Sequence, residues 1–376
     1  MQNHTIKVLS IFGTRPEAVK MAPVIQELQS RAGVESIVCV TAQHREMLDQ
    51  VLDLFHITPQ VDLNLMRINQ TLAELTANIF INLDPVLENI KPDWILVQGD
   101  TTTVMAAAVN AFYRHIYIGH VEAGLRTHDK WAPFPEEINR KIATVVADLH
   151  FAPTAFSKNN LLNEGVPEQF IKVTGNTVID ALQQIIQEPM PDEIHELLKK
   201  REILSKKKQL ILITAHRREN FGEPIRNICK AIKIIAEKHA DTLELMYPVH
   251  LNPNIQQPVH ALLDNLPNVT LLPPIEYLPL IHLMKNAKLI LTDSGGIQEE
   301  ATGLGLPTLV LREVTERPEG VEAGVLKLVG TDPDAIVRET DLLLTDSKHY
   351  NAMAHAANPF GDGHAAERIV NEILNF

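Results

Sequence analysis

The residues that could do chemistry stand where strands of this sequence should end. The apolar run 94–98 stops at Gly99-Asp100-Thr101, and 116–121 stops at Glu122 followed by Ala123-Gly124-Leu125-Arg126. Two carboxylates at one sheet edge can divide proton transfer if their surroundings separate their pKa values. The loop KWAPFPEE, 130–137, ends in Glu136 and Glu137, either an exposed first helical turn favoured by the dipole or an acid carried by a lid. The run 210–214 ends in Ala215-His216-Arg217-Arg218, which suits an anion or an acid–base near neutral pH.

A second anion motif lies in KLILTDSGGIQEEATGLGLPTLVLR, 288–312. Buried strand 289–291 leads to Ser294-Gly295-Gly296 and a helix expected to begin at Ile297. Unpaired N–H groups at a helix start, with glycines that let an anion approach, suit a diphosphate. Glu300 on that helix can reach a sugar diol, and Arg317 in the neighbouring loop can close on the same group. Near the start, GTRPE after strand 8–12 supplies Arg15, with Lys20 behind it, as further phosphate contacts. Each residue alone fits a cap, a turn or a solvated surface, so the chemical reading rests on their convergence.

These residues require a repeating strand–helix scaffold. Strands are expected at 8–12, 37–41, 94–98, 116–121, 149–151 and 171–174, then at 210–214, 243–249, 269–272, 289–291, 308–311 and 326–329. Helices are expected between them, including 46–54, 72–90, 104–113 and 136–146. Pro23 should kink or split the first helix. A polar, proline-containing stretch, 187–208, precedes the second set of strands. Such alternation predicts an α/β protein of two doubly wound parallel-sheet domains facing across a cleft, residues 1–177 and 178–361, with a helix at 362–376 crossing back.

Composition narrows the function. With 376 residues, 45% hydrophobic and 22% charged, the chain is ordinary globular protein. A formal charge of −13 argues against a nucleic-acid binder, which needs a basic surface. The start, MQNHTIKVLSIF, has neither a signal peptide nor a run long enough to span a bilayer, so a cytoplasmic protein without a membrane partner is expected. Cys39 and Cys229 read as inert core thiols, no metal motif occurs, and GxSxG is absent.

Taken in order, GTRPEAVKMAP, TAQHREMLDQ, GDTTT, HVEAGLRT, PFPEE, TGNTVIDA, ITAHRREN, TDSGGIQEEA, ERPEG and NPFGDG resemble the non-hydrolysing UDP-N-acetylglucosamine 2-epimerases across nearly the whole chain. The resemblance implies a glycosyltransferase-B-like fold, a homodimer, no cofactor, and interconversion of UDP-GlcNAc and UDP-ManNAc through elimination and return of UDP. It implies that Asp100, Glu122, Glu136 and His216 are catalytic. Arg15, Lys20, Ser294, Gly295, Gly296, Glu300 and Arg317 match UDP contacts. Ile275 and Leu280 match the stretch near the uracil, although relatives can have an aromatic where Leu280 stands. Gln43, Gln70, Glu136, Arg217 and His250 resemble parts of a second, activating UDP-GlcNAc site, with Asn69 where an arginine is expected. A hydrolysing relative, a retaining glycosyltransferase and a UDP-sugar-binding module without turnover are the alternatives.

Overall fold

The structure, a computed structural model, describes residues 5–41, 45–65, 67 and 70–376. It contains two compact units. The first runs to Ala181 and takes back Gly361–Phe376, and the second is Leu182–Phe360.

The first unit is built on β1 (Ile6–Phe12), β2 (Val34–Val40), β3 (Val61–Asp62), β4 (Trp94–Gln98), β5 (Tyr117–Val121), β6 (Leu149–Ala152) and β7 (Ile171–Val173). They form one sheet in the order β3-β2-β1-β4-β5-β6-β7, with every pair parallel. All five residues of β4 are buried, as a strand covered by helices on both faces must be. The order reverses between β1 and β4, so the loops GTRPE and GDTTT leave the carboxyl edge side by side. That reversal is where open α/β sheets bind ligands.

The second unit repeats the plan with β8 (Gln209–Thr214), β9 (Leu243–Pro248), β10 (Val269–Leu272), β11 (Ala287–Thr292), β12 (Thr308–Val310) and β13 (Leu326–Leu328). Their order is β10-β9-β8-β11-β12-β13, again all parallel, and the reversal falls between β8 and β11. The loops AHRRE and DSGG therefore emerge together. Thr214 and Thr292 tie the two strand ends, the Thr214 hydroxyl donating to Thr292 Oγ1 at 2.7 Å.

Several elements depart from expectation. Pro23 lies inside one helix, Arg15–Ser30, rather than splitting it. Its neighbours Val19, Ala22, Val24 and Ile25 are all buried, so packing offsets the missing N–H. The polar stretch 187–208, for which no element was expected, contains the helix Asp192–Lys200, whose Ile194 and Leu198 are one turn apart and buried. The two-residue edge strand β3 was too short to carry a periodic signal. At the end of the chain, the helix Ala365–Leu374 packs on Arg15–Ser30, and the Ala366 N–H donates to Asp180 at 2.8 Å. No helix among the described residues is long and apolar enough to cross a membrane.

Candidate active site

In the first unit, the carboxyl edge is a net of buried ion pairs. Glu122 directly follows β5 in the left-handed conformation, φ 65°, and is only 8% exposed. Its Oε1 receives the Lys20 ammonium and the Asn176 amide at 3.0 Å, while the Gln98 amide donates to Oε2 at 2.6 Å. Thus Lys20, matched to a UDP contact by sequence, is bonded to a candidate catalytic carboxylate.

Asp100 stands one loop away and is held by Arg140, whose Nε and Nη2 lie 2.9 and 2.7 Å from Oδ2. Arg140 also donates to Glu137 at 3.0 Å. Burial alone would lower its pKa, but Asp100 and Glu137 hold it above the ordinary arginine value. The Asp100 backbone is fixed as well, because the Asn139 amide donates to its carbonyl at 2.9 Å. Neither Arg140 nor Asn139 was singled out by sequence, although both lie on the helix that opens with Glu136 and Glu137.

That helix is Glu136–Val146. Glu136 is half-buried at its first position. Glu137, expected to be exposed, is fully buried and accepts from the Thr127 and His128 N–H groups, both at 3.1 Å. The preceding loop presents Trp131 and Phe134 to solvent, stacked with centroids 5.7 Å apart.

Arg15 opens the helix Arg15–Ser30 and is half-buried. Two residues on, Glu17 is buried and accepts from the Gly13 and Thr14 N–H groups at 3.1 and 2.8 Å and from the Thr14 hydroxyl at 2.7 Å. The Thr101 hydroxyl donates to its other oxygen at 2.7 Å, which joins GTRPE to GDTTT. Burial nevertheless pushes the Glu17 pKa up to about 7, with all four bonds opposing. Behind this edge, His120 Nε2 lies 2.7 Å from the Gly99 carbonyl, and burial pushes its pKa down to about 4. His120 is therefore a neutral donor to the residue before Asp100.

The second unit carries the cationic edge. Helix Gly295–Gly303 starts two residues earlier than expected, so both glycines lie in its first turn, and Ser294 is the N-cap without a side-chain capping bond. A side-chain carbon at Gly295 would meet Arg317 Nη1 at 2.6 Å, whereas one at Gly296 would meet nothing within 4 Å. Arg317 therefore lies across Gly295, and Gly296 leaves open space at the helix start. Arg317 is paired with Glu299 at 2.8 Å and Glu316 at 3.3 Å. Glu316 also accepts from Arg312 at 2.9 Å and lies 3.8 Å from Arg217. Burial opposes its charge, but Arg317, Arg312 and Arg217 hold its pKa down at about 2. Glu300, on the same helix, is buried to 6% exposure.

His216 is partly exposed after β8 and stacks on His250, centroids 5.4 Å apart. Its backbone N–H and that of Arg217 both donate to Asp293 Oδ2 at 2.8 Å. Ile275 and Leu280 are half-buried around the start of helix Tyr277–Lys285. Gln70 is half-buried in the first unit, while Gln43 and Asn69 lie outside the described residues. The two thiols are buried, and burial pushes each pKa up to about 12. No group of three or more metal-ligating residues occurs among the described residues.

Two all-parallel sheets flanked by helices define a glycosyltransferase-B-like fold, with acids at the carboxyl edge of the first and a glycine-opened helix among arginines at that of the second. Residues 26–374 match the family model described as UDP-N-acetylglucosamine 2-epimerase. The chain is 53% identical over 372 residues to UDP-N-acetylglucosamine 2-epimerase of Yersinia pestis, covering 98% of this chain and 99% of that one. The Escherichia coli K12 relative of the same name is 52% identical with the same coverage. Among solved structures, UDP-GlcNAc 2-epimerase from Neisseria meningitidis bound to UDP-GlcNAc superposes with a TM-score of 0.91 at 50% identity, covering 99% of this chain and all of that one. The Methanocaldococcus jannaschii enzyme in complex with UDP-GlcNAc and UDP gives 0.83 at 34%, with the same coverage. The chain belongs to the UDP-N-acetylglucosamine 2-epimerase family.

Proposed function

We propose that this chain is a non-hydrolysing isomerase that interconverts UDP-GlcNAc and UDP-ManNAc by inverting carbon 2 of the sugar. The observation that carries the reading is that Asp100 and Glu122, at one sheet edge, are each held by a buried cation, Arg140 and Lys20. A carboxylate fixed in this way keeps one orientation, which a general acid or base needs.

In the forward direction a carboxylate of the group Asp100, Glu122 and Glu136 takes the proton from carbon 2. The bond from carbon 1 to the diphosphate oxygen breaks, its electron pair leaves with UDP, and a carbon–carbon double bond forms. UDP then returns to carbon 1 while another acid delivers a proton to the opposite face of carbon 2. Charge builds on the departing diphosphate, so donors placed there lower the barrier. His216, Arg317 and the N–H groups at Ser294, Gly295 and Gly296 supply them. Glu300 serves the ribose, and Ile275 and Leu280 cover the base.

The resemblance extends the proposal to a cytoplasmic homodimer that supplies ManNAc for cell-surface polysaccharide. It also extends to activation by UDP-GlcNAc through Gln43, Gln70, Glu136, Arg217 and His250. Product analysis by anion-exchange chromatography tests the central reading. The expected result is a mixture of the two UDP-sugars without free UDP at equilibrium. Stoichiometric UDP with free ManNAc would make the chain a hydrolase, and turnover only with an added acceptor would make it a transferase.

A further inference from the structure

The strand end that carries His216 is organised by an acid that no UDP contact accounts for. Asp293 follows β11, is fully buried, and turns one oxygen to the neighbouring loop: Oδ2 accepts from the N–H groups of His216 and Arg217 and from the Asn220 amide at 2.8, 2.8 and 2.9 Å. Its other oxygen, Oδ1, is buried without a hydrogen-bond partner and lies 4.0 Å from His216 Nδ1. A buried carboxylate oxygen left in this state is costly, and the imidazole nitrogen beside it is the group a small rotation of the ring would bring into bonding distance.

We propose that Asp293 is a positioning residue that forms a dyad with His216, its Oδ1 accepting the Nδ1–H of the imidazole. The inference rests on the role given to His216 in the proposed function and adds what sets the state of that histidine. With Nδ1–H held by Asp293, the other ring nitrogen is an acceptor when the ring is neutral and a donor when it is protonated. In the protonated ring, Nε2–H donates to the oxygen of the departing diphosphate as the bond to carbon 1 breaks. When UDP returns, the same bond is released without any proton having to leave the site.

The groups that face the ring set its balance. Partial withdrawal of the ring from water lowers the His216 pKa, His250 and Arg217 lower it further, and Asp293 opposes them. The net effect lowers the pKa, and Asp293 is the one acid among these groups that works against the fall. The arrangement has the logic of a buried aspartate behind a catalytic histidine, where the acid selects the tautomer and steadies the imidazolium.

The test is a nitrogen-15 NMR titration of His216 in the full-length protein with and without UDP, its signals assigned by their loss in His216→Gln. In the unaltered protein the neutral ring should carry its proton on Nδ1. In Asp293→Asn the side-chain carbonyl can still accept from the loop, but the amide N–H₂ then faces Nδ1. The His216 titration should move down by roughly one pH unit. In the same variant kcat should fall at least about tenfold, with the Kd for UDP little changed. Placed in a His216→Gln background, Asp293→Asn should cost almost nothing further. A neutral ring protonated on Nε2 in the unaltered protein, an unmoved titration, or an equal loss of kcat in the His216→Gln background would each overturn the dyad. An unchanged kcat in His216→Gln alone would instead remove the histidine from the proposed function.

Discussion

Lys20 and Glu122 stand 102 residues apart in the chain and form a direct ion pair, with their side chains 10% and 8% exposed. The pair joins the helix after β1 to the end of β5 across the reversal in the first sheet. Removing one partner of a buried pair typically costs about 3–5 kcal/mol, because the other is left as an uncompensated buried charge. Lys20→Gln should therefore lower both stability in urea unfolding and kcat, the latter by about 100-fold. If Lys20 served only the diphosphate, UDP affinity measured by calorimetry would fall while kcat at saturation survived.

Arg140 plays the same part for Asp100 and was not foreseen. Arg140→Lys keeps the charge but gives up the fork that places two nitrogens on Asp100 Oδ2 and a third on Glu137. We expect kcat to fall at least about tenfold in Arg140→Lys and further in Arg140→Met, with UDP binding retained in both. Steady-state kinetics and UDP calorimetry on the same preparations decide this. Equal losses in affinity and turnover would count against a role confined to the carboxylate.

The two glycines of the second unit should respond differently to alanine. In Gly295→Ala the new methyl group meets the Arg317 guanidinium, which must move from Glu299 and Glu316, so both the thermal midpoint and UDP affinity should drop. Gly296→Ala meets no protein atom within 4 Å, so the midpoint should hold. Its UDP affinity should still fall about tenfold if the diphosphate lies against the helix start. Unaltered affinity in Gly296→Ala would place the phosphates elsewhere.

Acid and base should pull on stability from opposite sides. Glu17, raised from 4.5 to about 7, contributes stability that is fully present below pH 4.5 and is lost as pH rises through about 7. His120 and His150, lowered from 6.5 to about 4 and about 3, contribute stability present above pH 6.5 and lost as pH falls toward those values. Urea unfolding of Glu17→Gln beside the unaltered protein separates the two. The difference in unfolding free energy between them should change by on the order of 3 kcal/mol from pH 4.5 to pH 8. A constant difference across that range would mean that Glu17 does not titrate there.

Sequence made the strand ends legible because a buried strand and the loop that leaves it are local. Asp100 after β4, Glu122 after β5 and His216 after β8 could be placed by an apolar run of about five residues and a turn. What sequence could not show is which distant side chain meets them. Arg140 reaches Asp100 across 40 positions, and Asp293 reaches the His216 backbone across 77. Those meetings depend on strand order, which reverses in the middle of each sheet. Glu137 was misjudged for a related reason. An acid in a first helical turn suits the dipole whether exposed or buried, and only the fold of the loop 127–128 over it decides. The spacing of Glu137 and Arg140 on one helical face was the available signal for that pair.

Proton exchange at carbon 2 without net cleavage is the centre of the proposed function. The direct measurement is proton NMR of the purified protein with UDP-GlcNAc in D₂O, with neither metal nor nicotinamide added. UDP-ManNAc is expected to appear carrying deuterium at carbon 2, with no accumulation of free UDP. UDP-ManNAc that keeps its original hydrogen at that carbon, or free ManNAc beside stoichiometric UDP, would contradict the proposed function.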